Sequence, residues 1–418
     1  MSSAELAIDG GAPVRTAPLP TNDNISGRVM GDDEIENLTN VIHSGHLFRY
    51  GGKYVVGFEE GFAKRYGAKH AVACTSGTAA IHIAIGAIQP NPGDEIITAP
   101  ITDMGSIIGI LFQNAIPVFA DLDPETYTMT PESIEQRITD RTAAIIVVHL
   151  FGHPADMDPI LKIAAKRNIP VIEDCAQAYL TEYHGKLAGT IGVMGCFSLQ
   201  QSKHMTAGDG GIVITDDDDL DVGAKLFADK GWPRGGEVRD YLFLGANYRM
   251  NELTGAVAYA QLGRVEGVVS RRRATAEKLT ARLKTVDGIN PPVVRPNCKH
   301  SFWQYPFTID EQRLRCTPKQ FAAAVGAEGI PCGHGYIGQP IYMTRMLHEQ
   351  TAYGTSKCPW VCQFAGRKVE YQEQDCPNTV EILRRILLLY WNENFTDQDI
   401  RDMGDALDKV AAHFRAKG

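Results

Sequence analysis

Short runs of aliphatic, β-branched residues alternate through the first half of the chain with longer segments whose apolar residues recur at helical spacing. This alternation constrains the fold more than any other feature. Residues 71–74, 95–98, 116–120, 143–148 and 171–173 read as strands, and residues 54–66, 79–88, 106–112 and 158–167 as helices. Such strands are hydrophobic on both faces and must be covered on both sides. They predict a mostly parallel sheet with helices packed against it, an α/β fold. Two more strand-like runs, around Gly195 and Gly211, close this part of the chain.

A chain of 418 residues is longer than one hydrophobic core usually serves. Residues 1–50 are rich in Gly, Asn and Pro without clear periodicity and read as an arm; residues 51–270 read as the large α/β domain. A long helical region from Met250 toward Arg282 leads into a smaller α+β domain, 271–418. That domain carries a strand near 304–309, a helix over 318–325, a glycine-rich GHGYIGQP at 333–340 and a final helix over 397–414.

Composition excludes several classes of function. With 44% hydrophobic and 22% charged residues the chain is of soluble, globular type. A net charge of −9, with no basic run longer than Arg271-Arg272-Arg273, argues against a nucleic-acid partner, and that triplet reads as the solvated face of a helix. Nine scattered cysteines, with Cys358 and Cys362 the nearest pair, read as reduced cytoplasmic thiols rather than a zinc site. The acidic run 216–219 reads as a solvated turn, and His153 and His204 lack metal-ligand spacing, so no metal is expected. His149 ends a strand and reads equally as a core or a functional histidine. The N-terminus lacks a basic segment followed by a long apolar one, and no run approaches the roughly 18 apolar residues of a membrane span.

The chemistry-bearing residues lie where strands end. Lys203 sits in GCFSLQQSKHMTAGDGG, 195–211, on a loop between two strands. Asp174 ends the strand in PVIEDCAQ, 170–177, and ligands of an open α/β sheet bind beyond the carboxyl ends of its strands. Further back, TSGT at 75–78 breaks a strand and opens an apolar helix, so Gly77 and Thr78 offer free N–H groups and a hydroxyl to a phosphate. A phosphate seat, a strand-end acid and a loop lysine are the parts that hold pyridoxal 5'-phosphate. The lysine bonds its aldehyde, and the acid keeps its ring nitrogen protonated.

FSLQQSKHMTAGDGG, EDCAQA and HLFGHPADMD together resemble the DegT/DnrJ/EryC1/StrS family of pyridoxal-phosphate aminotransferases of sugars and cyclitols. The resemblance runs from IDGGAPVR at 8–15 through NYRMNEL at 247–253 and weakens after about residue 291. It implies the aspartate-aminotransferase-like fold (fold type I) and a homodimer with shared active sites. It assigns Lys203 as anchor and proton carrier, Asp174 as partner of the ring nitrogen, and Gln177 as a contact to the ring's phenolic oxygen. Gly77, Thr78 and Ser198 become phosphate ligands, and Asn247 reaches the phosphate of the neighbouring subunit. The segment 45–52 reaches the active site in that family, and Arg249 matches either a donor-carboxylate ligand or an interface ion pair.

One position departs from the family pattern. Relatives place an aromatic residue over the cofactor ring where this chain has Asp103, so either Met104 supplies the apolar face or the ring is held differently. Asp103 would then meet a substrate amine or hydroxyl, and His204, next to the lysine, would tune it or touch substrate. Polar neighbours of Lys203, namely Gln200, Gln201, Ser202, His204 and Thr206, suit a hydroxylated acceptor. The implied activity is amino transfer from L-glutamate or L-glutamine to a keto-cyclitol or a nucleotide-linked keto-sugar, in aminosugar or aminocyclitol biosynthesis. The alternatives are a non-transaminating sugar dehydratase, whose known examples carry histidine in place of the lysine, and a non-catalytic regulatory relative.

Overall fold

The computed structural model describes residues 5–416. Two helices, α1 (Asp32–Ser44) and α2 (Tyr54–Tyr66), precede β1 (His70–Cys74). Helices and strands then alternate: α3 (Gly77–Ile88), β2 (Glu95–Thr98), α4 (Gly105–Phe112), β3 (Ile116–Phe119), α5 (Pro131–Arg137), β4 (Thr142–Val148), α6 (Met157–Ala165) and β5 (Val171–Asp174). A hairpin, β6 (Glu182–Tyr183) and β7 (Lys186–Leu187), leads to β8 (Met194–Ser198), β9 (Gly211–Thr215), α7 (Asp218–Ala228), α8 (Glu252–Leu262) and α9 (Val265–Leu283). The remainder contains β10 (Ile289–Asn290), β11 (Cys298–Lys299), β12 (Tyr305–Ile309), α10 (Glu311–Leu314), α11 (Pro318–Ala327), β13 (Cys332–His334), α12 (Arg345–His348), α13 (Pro377–Arg385), β14 (Leu387–Leu389) and α14 (Asp397–Ala416).

Seven strands form the main sheet in the order β1-β9-β8-β5-β4-β2-β3. Every pairing is parallel except those of β9, which runs antiparallel to both neighbours. Strands β2, β3, β5, β8 and β9 are buried throughout, as the unbroken apolar runs require of a sheet covered on both faces. The second sheet, β10-β12-β14-β13, is antiparallel and stands with α11 and α14 around its own core. Helix α9 serves both cores: Val265 and Val269 pack with the α2 side of the main sheet, whereas Ala276, Leu279 and Leu283 pack with Phe307, Trp391 and Leu407.

Several local readings change in three dimensions. Residues 1–50 are not wholly irregular, because α1 sets Leu38 and Val41 against Tyr54 and Ala256 while Ile35 and Ile42 face outward and break its apolar stripe. The acidic run starts a helix rather than forming a turn. Asp217 caps α7 by accepting from the amides of Asp219 and Leu220, and Asp218 and Asp219 occupy its first turn, where the helix dipole favours anions. The region 250–282 is two helices, interrupted at Gly263-Arg264.

The arginine triplet is not a solvated face: Arg272 is fully buried, and Arg273 donates to the carbonyls of His300 and Leu180. Tertiary partners supplied by distant segments offset the cost of burying those charges. Cys358 and Cys362 form a disulfide instead of remaining thiols, because the loop between them brings their Cα atoms to 5.3 Å, within bridging range. The other seven cysteines are free. No helix among the described residues is long and apolar enough to cross a membrane.

Candidate active site

Register places the three chemical parts at one edge of the sheet. Cys74 at the end of β1 pairs with Gly211, Gly211 pairs on its other side with Ser198 at the end of β8, and Asp174 at the end of β5 pairs with Cys196. The α3 N-terminus, the lysine loop and the strand-end acid therefore converge beyond the carboxyl ends of adjacent strands. Glycine permits the closest approaches. A Cβ on Gly211 would stand 2.2 Å from the carbonyl oxygen of Ser76, and one on Gly77 would stand 2.6 Å from the Ser198 Cβ.

These residues line a cavity of about 340 Å³ with walls that include Ser76, Gly77, Thr78, Asp174, Gln177, Ser198 and Lys203. Ser76 caps α3 by accepting from the Ala79 amide at 3.0 Å, which leaves the Gly77 and Thr78 amides at the helix start to face the cavity edge. Asp174 Oδ2 accepts from Ser106 Oγ at 2.7 Å, and Oδ1 accepts from the Ala176 amide at 3.0 Å. Burial pushes its carboxyl up, opposed by those two hydrogen bonds and by the Lys203 charge. Lys203 Nζ lies 4.1 Å from the ring centroid of Trp303. Burial pushes its ammonium down to about 8, against the opposing pull of Asp174 and Asp103.

Other candidate residues sort by position. Gln177 faces the cavity but is held at both ends: Oε1 accepts from the Phe151 amide at 2.8 Å, and Nε2 donates to Tyr336 Oη at 3.2 Å. Asp103 is exposed at the cavity rim, where its Oδ1 accepts from the Gly105 amide. Met104 is not among the residues lining the cavity. It packs instead beside the cluster of Ile107, Phe119, Tyr342 and Trp360, because α4 turns it to the outer side. His204 is buried beneath the loop with Nε2 3.0 Å from the Ser301 carbonyl, and burial holds its imidazole neutral, so it does not reach the cavity.

Asn247 is exposed on the segment bridging to Asp229 and is not among the residues lining this chain's own cavity. Arg249 is paired with Asp229, which also accepts from Tyr50 Oη and so ties in the segment 45–52. His149 and Glu173 are framework. Glu173 accepts from His149 Nε2 and from the amides of Gly189, Ile191 and Gly192, and His149 Nδ1 accepts from the Ala155 amide. Cys175 lies close to both, with the three possible ligand atoms within 4.8 Å of one another, while His149 and Glu173 are already engaged by protein partners.

Trp303 and Tyr336, together with Ser106 and Asp209, line the cavity without being singled out by the sequence. Trp303 lies before β12 with no local signal beyond being one of four tryptophans. Tyr336 belongs to GHGYIGQP, and the glycines there were the available clue. Its own φ is +47°, beside Gly335 at +75° and Gly338 at +78°, a left-handed bend that aims its ring inward from the small domain.

Strand ends of a mostly parallel sheet thus bring a buried lysine, an acid and a helix N-terminus to one cavity, parts suited to a phosphate-bearing aldehyde cofactor. Residues 28–408 match the DegT/DnrJ/EryC1/StrS aminotransferase family, and the chain belongs to that family. It is 36% identical to the L-glutamine:2-deoxy-scyllo-inosose aminotransferase of Streptomyces kanamyceticus, over 99% of this chain and 98% of that one. It is 38% identical to the GDP-perosamine synthase of Caulobacter vibrioides, over 70% of this chain and 79% of the relative. The crystal structure of an aminotransferase from Psychrobacter cryohalolentis superposes with a TM-score of 0.81 at 27% identity, covering 93% of this chain and 98% of that chain. The chain is therefore an aminotransferase with the expected α/β architecture.

Proposed function

We propose that this aminotransferase uses pyridoxal 5'-phosphate to move an amino group from L-glutamine or L-glutamate to a keto-cyclitol, with a nucleotide-linked keto-sugar as the second acceptor class. The observation that carries the reading is the convergence of Lys203, Asp174 and the α3 N-terminus on one cavity. The residues fit the cofactor. The absence of a Cβ at Gly77, whose place Ser198 would contest, leaves a cradle of backbone N–H groups and hydroxyls for a phosphate. The buried carboxylate of Asp174 sits where a ring cation is wanted.

When bound, that cofactor supplies an aldehyde and a cationic ring able to draw electrons from a substrate carbon. Ser76, Gly77, Thr78 and Ser198 would hold the phosphate, Asp174 would keep a proton on the ring nitrogen, and Gln177, oriented by Phe151 and Tyr336, would meet the phenolic oxygen. Lys203, with its depressed affinity for a proton, would present the neutral amine that bonds the aldehyde. The same Nζ, when free, would hold or move the proton at the substrate carbon. Trp303 limits water on that face.

The acceptor class rests on polarity and kinship. The cavity rim offers Asp103, Gln200, Asp209 and Tyr336 to hydroxyl groups. The relative matched over nearly its whole length is named for L-glutamine and an inosose. The GDP-perosamine synthase, matched over less of this chain, keeps the nucleotide-sugar class second. We further assign the working unit as a homodimer in which Asn247 completes the phosphate site of the partner subunit, since that side chain is exposed and does not line its own cavity.

Borohydride treatment of the yellow protein is expected to fix the cofactor on the peptide containing Lys203. Attachment to another lysine would overturn the assignment. Enzyme aminated with L-glutamine is then offered keto-cyclitols and nucleotide keto-sugars, and the colour is expected to return fastest with a keto-cyclitol. Return of colour with simple α-keto acids alone would overturn the acceptor reading.

A further inference from the structure

Beneath the lysine loop lie three buried charged side chains that the chemistry above leaves unused. Arg28 is 6% exposed, Arg272 0% and Glu393 2%. The Arg272 guanidinium pairs with Glu393 Oε2 at 2.6 Å, and Arg28 Nη1 lies 3.6 Å from Glu393 Oε1. Each arginine also spends its donors on main-chain carbonyls. Arg28 donates to the carbonyls of Lys203, at 2.9 Å, and Gln201. Arg272 donates to those of Phe302, at 3.1 Å, and Trp303, at 3.2 Å. The loop closes on itself because Trp303 Nε1 donates to the Ser202 carbonyl at 2.9 Å while its ring lies against Lys203 Nζ.

We propose that Arg28, Glu393 and Arg272 form a buried positioning cluster for Lys203. Glu393 anchors one guanidinium that fixes the main chain under the lysine, and a second that fixes the segment laying Trp303 over its amine. The inference rests on Lys203 being the cofactor-bearing lysine. Burying such charges is a poor route to stability, since apolar replacements of similar volume often serve as well. Geometry explains their presence better. Five donors in a rigid fork fix two carbonyls at once, and a misplacement of about 1 Å at a reacting amine costs on the order of 100-fold in rate.

The three charges come from segments far apart in the chain. Arg28 lies between α1 and the N-terminus, Arg272 on α9, and Glu393 between β14 and α14. Neighbouring bonds knit the same segments: Gln201 Nε2 donates to the Asn22 carbonyl at 2.8 Å, and Asn392 Nδ2 to the Gly27 carbonyl at 3.0 Å. The small domain is thereby connected directly to the lysine main chain. Of the titratable groups facing the amine, Asp174 lies on β5, Asp103 before α4 and Tyr336 after β13; none belongs to the cluster, which acts through the backbone.

Arg28→Met removes one fork and leaves Glu393 paired with Arg272, so the full chain is expected to keep its thermal midpoint. Two readouts are made on the full-length protein: hydrogen exchange of amides 199–207, and the rate at which pyridoxal phosphate with borohydride labels Lys203. In Arg28→Met, exchange of the loop is expected to rise, and labelling to fall, about tenfold at every pH, while strands β8 and β9 stay protected. Arg28→Lys, which can reach only one carbonyl, is expected to recover part of both. Trp303→Phe, which keeps a ring but loses the bond to Ser202, is the second variant should Arg28→Met not fold, with the same direction expected.

Wild-type loop exchange and labelling in Arg28→Met, or in Trp303→Phe where Arg28→Met does not fold, would overturn the positioning proposal, as would equal loss of protection in β8 and β9. Failure of the wild-type protein to label at Lys203 overturns instead the reading of the site on which it rests.

Discussion

At the scale of single residues the decisive quantity is the proton on Lys203. Its ammonium is pushed from 10.5 to about 8 by burial, so the neutral nucleophile is the minor form at pH 7 and the major form above pH 8. The rate of modification of Lys203 by an amine reagent is therefore expected to rise about tenfold per pH unit and level off near pH 8, while exposed lysines keep rising toward about 10.4. Peptide mass spectrometry across a pH series checks this, and a plateau only above pH 10 contradicts it. Asp174 has the opposite role in the proposed mechanism, a buried carboxylate that would pair with a ring cation. Asp174→Asn is expected to lower the turnover rate on the order of 100-fold, the scale of one lost charge-assisted contact, with Lys203 still labelled. Equal turnover by the variant would remove Asp174 from its assigned role.

Secondary-structure elements are fixed in place by acids that local patterns do not reveal. Glu252, at the first turn of α8 and 2% exposed, accepts from the amides of Lys53, Tyr54 and Val55 at 2.9, 2.8 and 2.9 Å. It thus caps α2 from almost two hundred residues away, in the absence of any side-chain cap from Lys53 itself. Glu252→Ala is expected to lower stability by about 2–4 kcal/mol, read as a fall of the thermal midpoint with the far-ultraviolet spectrum retained. Elements β1 to β5 and α2 to α4 were legible in the sequence because their burial on both faces, or along one stripe, is written in their own residues. Helix α1 was not legible, because its apolar residues are split between α8 and the outer surface.

For the whole molecule, four exposed apolar residues lie together on the segment that leads to Asn247. Leu244 is 89% exposed and Val238 78%, beside Tyr241 and Leu242, on the side of Arg234 and Tyr50. A surface of this kind beside the exposed Asn247 fits the shared-site homodimer proposed above. Leu244→Asp is expected to shift the mass measured by light scattering from dimer toward monomer and to lose activity together with it. Mixing Lys203→Ala and Asn247→Ala subunits offers a sharper check. Random pairing rebuilds one intact site in half of the dimers, so activity is expected to return to about a quarter of wild type. No recovery on mixing two inactive variants that exchange subunits would show that each site is built from a single chain.

The sequence by itself determined the α/β class and the order of the chemical parts: a phosphate-type helix start at 75–78, an acid at 174, a lysine at 203. Those are local properties, since hydrophobic period and strand-end polarity depend on residues close together in the chain. Only the tertiary structure decided that Trp303 and Tyr336 face the lysine cavity, that Met104 does not, and that Arg272 is buried on Glu393 rather than solvated. Each of these depends on a partner in a distant segment. A side chain's burial, its proton affinity and the cost of its charge are set by what packs against it, and that is a property of the folded chain.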